Sequence, residues 1–184
     1  VSQAVNTILK LNKRLIIMQA TTQYPSPVKE TNLRVIESFR HQFKVNIGYS
    51  DHTPGFTAIL GSVALGACVI EKHFTLDRTS QGPDHPHSLD FNEFKDMVSK
   101  IREMENALGG FKKKVEDSEV KTRKIQRRGV WTVKKIKKNE IFTNSNLEVL
   151  RPCQTIDASK ITKIIGKKSK RNLKPYTALR VEDY

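Results

Sequence analysis

The chain has 184 residues, 37% of them hydrophobic, and a formal net charge of +14, so it can form one ordinary domain or two small ones. No stretch reaches the roughly 18 consecutive apolar residues of a membrane-spanning helix, and two cysteines cannot build a disulfide framework or a zinc knuckle. We expect a globular protein of the reducing cytoplasm that does not associate with a membrane. Its start lacks Met and a signal-peptide pattern, so we expect the sequence to be part of a longer protein.

Helical and strand patterns alternate over residues 1–108. Apolar runs that predict buried strands lie at 15–18, 44–48 and 68–70, each after a segment with helical spacing, and residues 91–108 form a fourth predicted helix. Short apolar strands between amphipathic helices indicate a parallel α/β fold, and three strands are too few to bury both faces of such a sheet. This half therefore predicts part of a larger fold, either a doubly wound sheet or a barrel.

The composition changes after the Gly109-Gly110 pair, which is a stop signal for the preceding helix. Residues 109–126 are almost wholly polar and are predicted to form a linker. Residues 127–184 are predicted to form a small, mostly β domain, with a strand at 129–133, a turn at 137–140 and a helical turn near 159–165.

Positive charge is concentrated in the second part. Residues 1–108 hold 12 Lys and Arg against 11 Asp and Glu, whereas residues 109–184 hold 21 against 8. The lysines form short runs with few aromatic residues between them on which bases could stack. We interpret them as a solvated basic face and expect no nucleic-acid partner.

Unusual polar residues follow each predicted strand. They are Thr21 to Tyr24 after the first strand, Ser50 to Thr53 after the second, and Glu71 to Phe74 with Gly82 to His85 after the third. Ligands of parallel β/α folds gather at these strand ends. Neighbouring strands lie about 4.8 Å apart, so His52 and His73 can meet on one ion and leave positions open for water and substrate. The alternative is that each histidine is structural.

Several long segments resemble the sialic-acid synthase family. GYSDHTPG, ALGACVIEKHFTLDR and GPDHPHSL are similar to its signature segments in the same order, and RRGVWTVKKIKKNEIFTNSNLEVLRPCQTI resembles its C-terminal antifreeze-like domain. The resemblance implies that residues 1–108 are the last three strands of a (β/α)8 TIM barrel. It also implies that residues 127–184 form an antifreeze-like SAF domain of the β-clip type.

The resemblance further implies an enzyme. Family members are transferases that form a C–C bond between phosphoenolpyruvate and an N-acylated amino sugar, here N-acetylmannosamine or its diacetylated 6-deoxy analogue. The products are a nine-carbon 2-keto sugar acid and phosphate. The lysines that family members use on phosphoenolpyruvate lie in the N-terminal strands, so we expect this chain alone to be inactive. Two alternatives stay open, a pseudaminic-acid synthase and a non-catalytic module that binds carbohydrate or a polyanion.

The resemblance assigns metal and catalytic roles. His52 and His73 are implied to bind a divalent metal ion, Mn²⁺ or Mg²⁺, and they form the catalytic set together with Glu71. Ser50 and Tyr24 correspond to residues that contact phosphoenolpyruvate.

Sugar-binding roles are implied for further positions. Thr22 stands where the family more often has Asn or Ser, and it keeps a hydrogen-bonding side chain. Glu71 and Asp84 correspond to acidic residues that hold the acylated sugar. Arg151 corresponds to a residue that reaches the active site of the other subunit in a domain-swapped homodimer.

Each assignment has a structural alternative. Tyr24 and Asp84 each adjoin a proline and can be turn residues, Ser50 can cap the following helix, and Arg151 can be a surface charge. Among the remaining histidines, His85 and His87 are predicted to be structural or to support the site, and His41 to lie on the surface.

The sequence also departs from the family. Gln19-Ala20 stands where His-Cys is usual, Cys153 replaces a common Gly, and Gly129 stands where Ser is usual. None of these departures removes a predicted metal ligand. The segment with Asp84 is more similar to the sialic and legionaminic branches than to the pseudaminic one.

Overall fold

The computed structural model describes all residues from 1 to 184. The chain folds as two compact units, Val1–Phe111 and Lys112–Tyr184, each with its own hydrophobic core. The second unit begins inside the segment predicted to be a linker and includes helix α5, Glu119–Gln126. An acidic residue in the first turn of α5 and basic residues in its last turn favour a helix there through the helix dipole. The domain boundaries at 108 and 127 stay predictions.

The first unit has an α/β architecture, with the strands and helices in the predicted order. The helices are α1 (Ser2–Leu11), α2 (Val35–Phe43), α3 (Thr57–Ala64) and α4 (Phe91–Leu108), and the strands are β1 (Ile16–Ala20), β2 (Asn46–Asp51) and β3 (Val69–Lys72). The strands form one sheet in the order β1-β2-β3, and both pairs are parallel. The predicted strands and the fourth helix are therefore confirmed. No helix of the chain is both long enough and apolar enough to cross a membrane.

The strand register aligns the ends of β2 and β3. Ser50 pairs with Glu71 and Asp51 with Lys72, while Ala20 at the end of β1 pairs with Ser50. The carboxyl ends of all three strands therefore lie at one edge of the sheet, and the predicted site residues follow there.

The core lies between the helices and one face of the sheet. Ile47 and Tyr49 project from β2 on the same face, and they pack with Ile36 of α2, Ile59 of α3 and Met97 of α4. Burying one such side chain contributes about 1.5–3 kcal/mol. Side chains of β2 and β3 alternate between the two faces of the sheet. The helices pack on one face, and polar residues such as Ser50 and Glu71 lie on the other.

A long connection between β3 and α4 is held at both ends. Leu89 donates its N–H to the His73 carbonyl at 2.9 Å, and Thr75 donates to the Leu89 carbonyl at 2.9 Å. The segment includes a 3₁₀ turn, His85–His87. It then enters α4 through a capping box between Asp90 and Glu93. These bonds keep the connection folded back beside the end of β3.

The second unit contains little regular structure besides α5. Strands β4 (Gly129–Thr132) and β5 (Leu147–Leu150) are antiparallel, and isolated bridges such as Ile136 with Leu173 add further β pairing. A 3₁₀ helix at Ala158–Lys163 confirms the predicted helical turn. The core is a cluster of eight buried aliphatic and aromatic side chains, Val130, Ile136, Phe142, Leu147, Ile156, Ile164, Leu173 and Leu179.

Candidate active site at the ends of the parallel strands

Two imidazoles converge on one oxygen atom at the edge of the sheet. The Tyr24 hydroxyl lies 2.7 Å from Nε2 of His52 and 3.3 Å from Nε2 of His73. The Tyr24 ring stacks on His52 with 4.0 Å between ring centroids, and the centroids of the two histidine rings are 5.7 Å apart. The Nε2 atoms therefore face the same small volume.

The backbone fixes the tautomer of the neutral His52 ring. Its Nδ1 lies 2.6 Å from the carbonyl oxygen of Thr21, and because a carbonyl only accepts, Nδ1 must carry the hydrogen. In the neutral ring the lone pair is then on Nε2, the atom that faces Tyr24. Metal-binding histidines have this arrangement, in which one ring nitrogen is tied to a backbone carbonyl and the other is free to coordinate.

These residues fit a divalent ion that takes two protein ligands. His52 and His73 offer two imidazole nitrogens, and no group of three His, Cys, Asp or Glu side chains in the chain has metal-binding geometry. Water and substrate oxygens would have to supply the other ligands, which suits a catalytic site better than a structural one.

Ser50 and Glu71 form a hydrogen-bonded pair beside the histidines. Ser50 Oγ donates to Glu71 Oε2 at 2.5 Å and lies 3.3 Å from His52 Nε2. Ser50 belongs to β2, whereas α3 begins at Thr57, so the alternative of Ser50 as a helix cap is wrong. An exposed carboxylate therefore lies next to the imidazoles, with the Ser50 hydroxyl between them.

Tyr24 keeps its proton at the centre of this cluster. Partial burial, followed by the negative charges of Glu71 and Asp84, raises its pKa above the usual range. Its hydroxyl therefore donates to the His52 lone pair. The side chain is 38% exposed, so solvent and substrate can reach it.

Asp84 combines a turn role with proximity to the site. Its carboxylate is 3.9 Å from His73 Nδ1 and largely exposed, while its carbonyl accepts from the His87 N–H and the Ser88 hydroxyl. Thr22 is exposed in the loop after β1.

Arg151 lies in the second unit. Its side chain is exposed, and its Nε donates to the Gln126 carbonyl at 2.7 Å. The first unit thus brings together six of the predicted residues: Tyr24, Ser50, His52, Glu71, His73 and Asp84.

Two of the other histidines, His85 and His41, have the predicted structural and surface character, whereas a role for the exposed His87 stays a prediction. His85 Nδ1 contacts Thr75 Oγ1 at 2.8 Å and stabilises the connection before α4. His41 is exposed on α2.

Three residues that shape the site were not selected from the sequence. They are Thr21, whose carbonyl orients His52, and the buried pair Asp51 and Lys72. The pair could have been found from the sequence. Strand alternation puts both charged residues on the helix-covered face opposite Ser50 and Glu71, and a charged side chain buried there requires a partner of opposite charge.

Comparison with known proteins identifies two matching regions of the chain. Residues 1–113 match the NeuB family, and residues 127–183 match the SAF domain. The chain belongs to the NeuB family. The resemblance to sialic-acid synthases and to their antifreeze-like domain is confirmed.

Relatives of this NeuB-family chain include synthases of diacetyllegionaminic acid and of pseudaminic acid. It is 41% identical over 177 residues to N,N'-diacetyllegionaminic acid synthase of Campylobacter jejuni, covering 95% of this chain and 53% of the relative. It is 39% identical over 173 residues to a pseudaminic acid synthase of Campylobacter jejuni, covering 94% and 50%. The chain thus spans about half the length of these relatives.

A solved structure covers both units. The putative spore coat polysaccharide biosynthesis protein E from Chromobacterium violaceum aligns with a TM-score of 0.72 at 26% identity, covering 99% of this chain and 56% of that one.

Two of the departures from the family are neighbours in space. A Cβ atom on Gly129 would lie 3.0 Å from Cys153 Cα and 2.9 Å from the Ile156 carbonyl oxygen. A side chain at 129 would therefore meet backbone atoms of 153 and 156 first, with the Cys153 sulfur 3.3 Å away. The Gly at 129 lets the start of β4 pass close to these backbone atoms.

Proposed function

We propose that this chain forms the metal- and sugar-binding half of a sialic-acid-type synthase. The reaction joins C3 of phosphoenolpyruvate to the aldehyde carbon of an N-acylated amino sugar, water adds at C2, and phosphate leaves. The product is a nine-carbon 2-keto sugar acid. Family membership supports the reaction class, and the names of the relatives support the sialic-acid type of product.

The observation that carries the proposal is the convergence of His52 and His73 on one point. Their Nε2 atoms share the Tyr24 hydroxyl as a neighbour at 2.7 and 3.3 Å, and His52 is held in the tautomer that a ligand needs. Imidazole donors favour Mn²⁺ over Mg²⁺, because Mg²⁺ prefers oxygen ligands. A cation held by His52 and His73 would supply Lewis-acid polarisation of the acceptor's aldehyde oxygen.

The surrounding side chains position the acceptor and move protons. We assign Glu71 to hydrogen-bond a sugar hydroxyl and to exchange a proton, since its carboxylate already accepts from Ser50 at 2.5 Å beside the histidines. Asp84 accepts a hydrogen bond from a further hydroxyl of the acylated sugar. Ser50, Tyr24 and Thr22 contact the substrates with hydroxyl groups.

The proposed enzyme uses a complete barrel. The helices pack on the face of Ile47 and Tyr49, while Ser50 and Glu71 lie on the other face, which is the arrangement of a TIM-barrel strand with its helix outside. We assign residues 1–108 to the last three β/α units of such a barrel. The phosphate-gripping lysines would belong to the half of the relatives that this chain does not span, so the chain alone is expected to be inactive.

Arg151 is proposed to act across a homodimer. Its guanidinium is tied through Nε to the Gln126 carbonyl at the end of α5. We assign it to the acyl carbonyl or hydroxyls of the sugar bound to the other subunit, as the resemblance implies.

The test is phosphate release by a full-length synthase that carries this sequence as its C-terminal half. With phosphoenolpyruvate, acceptor sugar and Mn²⁺, His52→Ala and His73→Ala should each lower turnover by about 10²-fold or more, the effect of losing one electrostatic stabiliser. His41→Ala, an exposed histidine on α2, is the matched control and should retain parental turnover. Near-parental turnover in both site variants, with the metal still bound, would contradict the assignment.

The same assay identifies which acceptor sugar the enzyme uses. N-acetylmannosamine, its diacetylated 6-deoxy analogue and the acceptor of pseudaminic acid synthases are compared at equal concentration. We expect one of the first two to give the highest kcat/KM. Preference for the third would assign the chain to the pseudaminic branch. No turnover with any acceptor, together with strongly salt-dependent binding to heparin, would favour a polyanion-binding module.

A further inference from the structure

A buried ion pair joins β2 to β3 on the face opposite the candidate site. Lys72 Nζ lies 2.9 Å from Asp51 Oδ2, and the two side chains are 2% and 0% exposed. Both carboxylate oxygens are hydrogen-bonded, because Oδ1 also accepts from the Tyr49 hydroxyl at 3.1 Å and from the Thr53 N–H at 3.0 Å. A buried charge with all its partners present fixes the geometry around it.

The Lys72 ammonium contacts the residues on both sides of His52. Lys72 Nζ donates to the Thr53 carbonyl as well as to the Asp51 carboxylate. Asp51 and Thr53 flank His52, and Lys72 directly precedes His73. One ammonium group thus ties both neighbours of the first histidine to the residue before the second.

We propose that Asp51 and Lys72 are positioning residues, whose buried pair holds the His52 and His73 imidazoles in their converging arrangement. That the two positioned imidazoles share a metal ion rests on the proposed function. That the pair positions the rings does not depend on it. Neither residue contacts the Tyr24 hydroxyl or the Nε2 atoms, so the pair acts through the backbone of β2 and β3.

A neutral double variant separates positioning from simple stability. Lys72→Met leaves Asp51 as an unpaired buried charge and should destabilise the fold, whereas Asp51→Asn with Lys72→Met removes both charges and should restore folding. Asn at 51 can still accept from Tyr49 and Thr53. Lys100→Met, which removes an exposed ion pair with Glu103 on α4, is the matched control.

The first readout needs no metal. In ¹H–¹⁵N spectra of the histidine rings of the 184-residue chain, His52 should show the Nδ1–H tautomer that donates to Thr21. The folded double variant should lose this tautomer preference and the contacts between the His52, Tyr24 and His73 rings, and Lys100→Met should keep both.

The second readout is Mn²⁺ binding to the same chains. The double variant should bind Mn²⁺ at least about tenfold more weakly than the parent, the usual effect of disturbing groups behind metal ligands. A double variant that folds with parental ring spectra overturns the proposal. A parent chain that does not bind Mn²⁺, while the ring spectra still depend on the pair, overturns the metal assignment and leaves positioning intact.

A conservative variant covers the case in which the double variant does not fold. Lys72→Arg keeps the charge and can donate to the Asp51 carboxylate and the Thr53 carbonyl at once. It should keep the His52 tautomer of the parent chain. A folded Lys72→Arg chain that keeps both hydrogen bonds but loses the parental ring spectra would also overturn the proposal.

Discussion

At the scale of single residues, a backbone carbonyl and a missing side chain shape the structure alongside the reactive groups. The Thr21 carbonyl selects the tautomer of His52 and so directs its lone pair to the site. In the second unit, the absent side chain of Gly129 makes room for backbone atoms of Cys153 and Ile156. Both contacts join residues distant in sequence.

Gly129→Ala is expected to destabilise the second unit by about 1–3 kcal/mol, the cost of overpacking a tight site. The new methyl group would lie 2.9 Å from the Ile156 carbonyl oxygen and 3.0 Å from Cys153 Cα, both backbone atoms. Urea unfolding of the chain measures the change.

Gly110→Ala is the matched control, because a Cβ at 110 meets no atom within 4 Å. It should change the free energy of unfolding by less than about 0.5 kcal/mol. Equal effects of the two substitutions would show that packing against Cys153 and Ile156 is unimportant.

At the scale of elements, the connection after β3 depends on the start of α4. The Asp90 side chain accepts from the Glu93 N–H at 2.9 Å, and the Glu93 carboxylate accepts from the Asp90 N–H at 3.0 Å. Glu93 also pairs with Arg78, which donates to the Ser88 carbonyl. The same few residues therefore start the helix and anchor the segment that carries Asp84.

Asp90→Ala should cost about 1 kcal/mol of stability, because it removes the hydrogen bond from the Glu93 N–H to the Asp90 carboxylate in the capping box. Thermal unfolding of the first unit measures this loss. Asp90→Asn keeps an acceptor and should be nearly neutral.

Ser118→Ala is the control for a helix start without such a bond, since no side chain caps α5. A loss for Ser118→Ala as large as that for Asp90→Ala would contradict the capping explanation.

At the scale of the whole molecule, two separate cores support two units. The first core contains Ile47 and Ile59, and the second contains Phe142 and Val130, with no residue in common. Each core must therefore offset the conformational entropy of its own unit.

Phe142→Ala should destabilise the second unit by about 3–5 kcal/mol, because the ring is completely buried. Amide hydrogen exchange should show protection lost at Val130 and kept at Ile47. Ile59→Ala should give the reverse pattern. Loss of protection in both units from one substitution would mean that they unfold together.

The sequence by itself determined the elements and most of the candidate site. Apolar runs and helical spacing are local patterns, so they predicted three parallel strands, the helix at 91–108 and the helical turn near 159–165. Polar residues at strand ends marked His52 and His73 because parallel strands end at one edge of a sheet. The segments around them were long enough to identify the family.

Only the tertiary structure decided how these residues meet. The tautomer of His52, the Tyr24 hydroxyl between two imidazoles and the Asp51–Lys72 pair all depend on contacts 19 to 49 positions apart in the chain. The helix α5 inside a polar segment was likewise not predicted. Periodicity reports which face a side chain occupies, whereas distances and hydrogen-bond partners arise only when separate strands pair in a particular register.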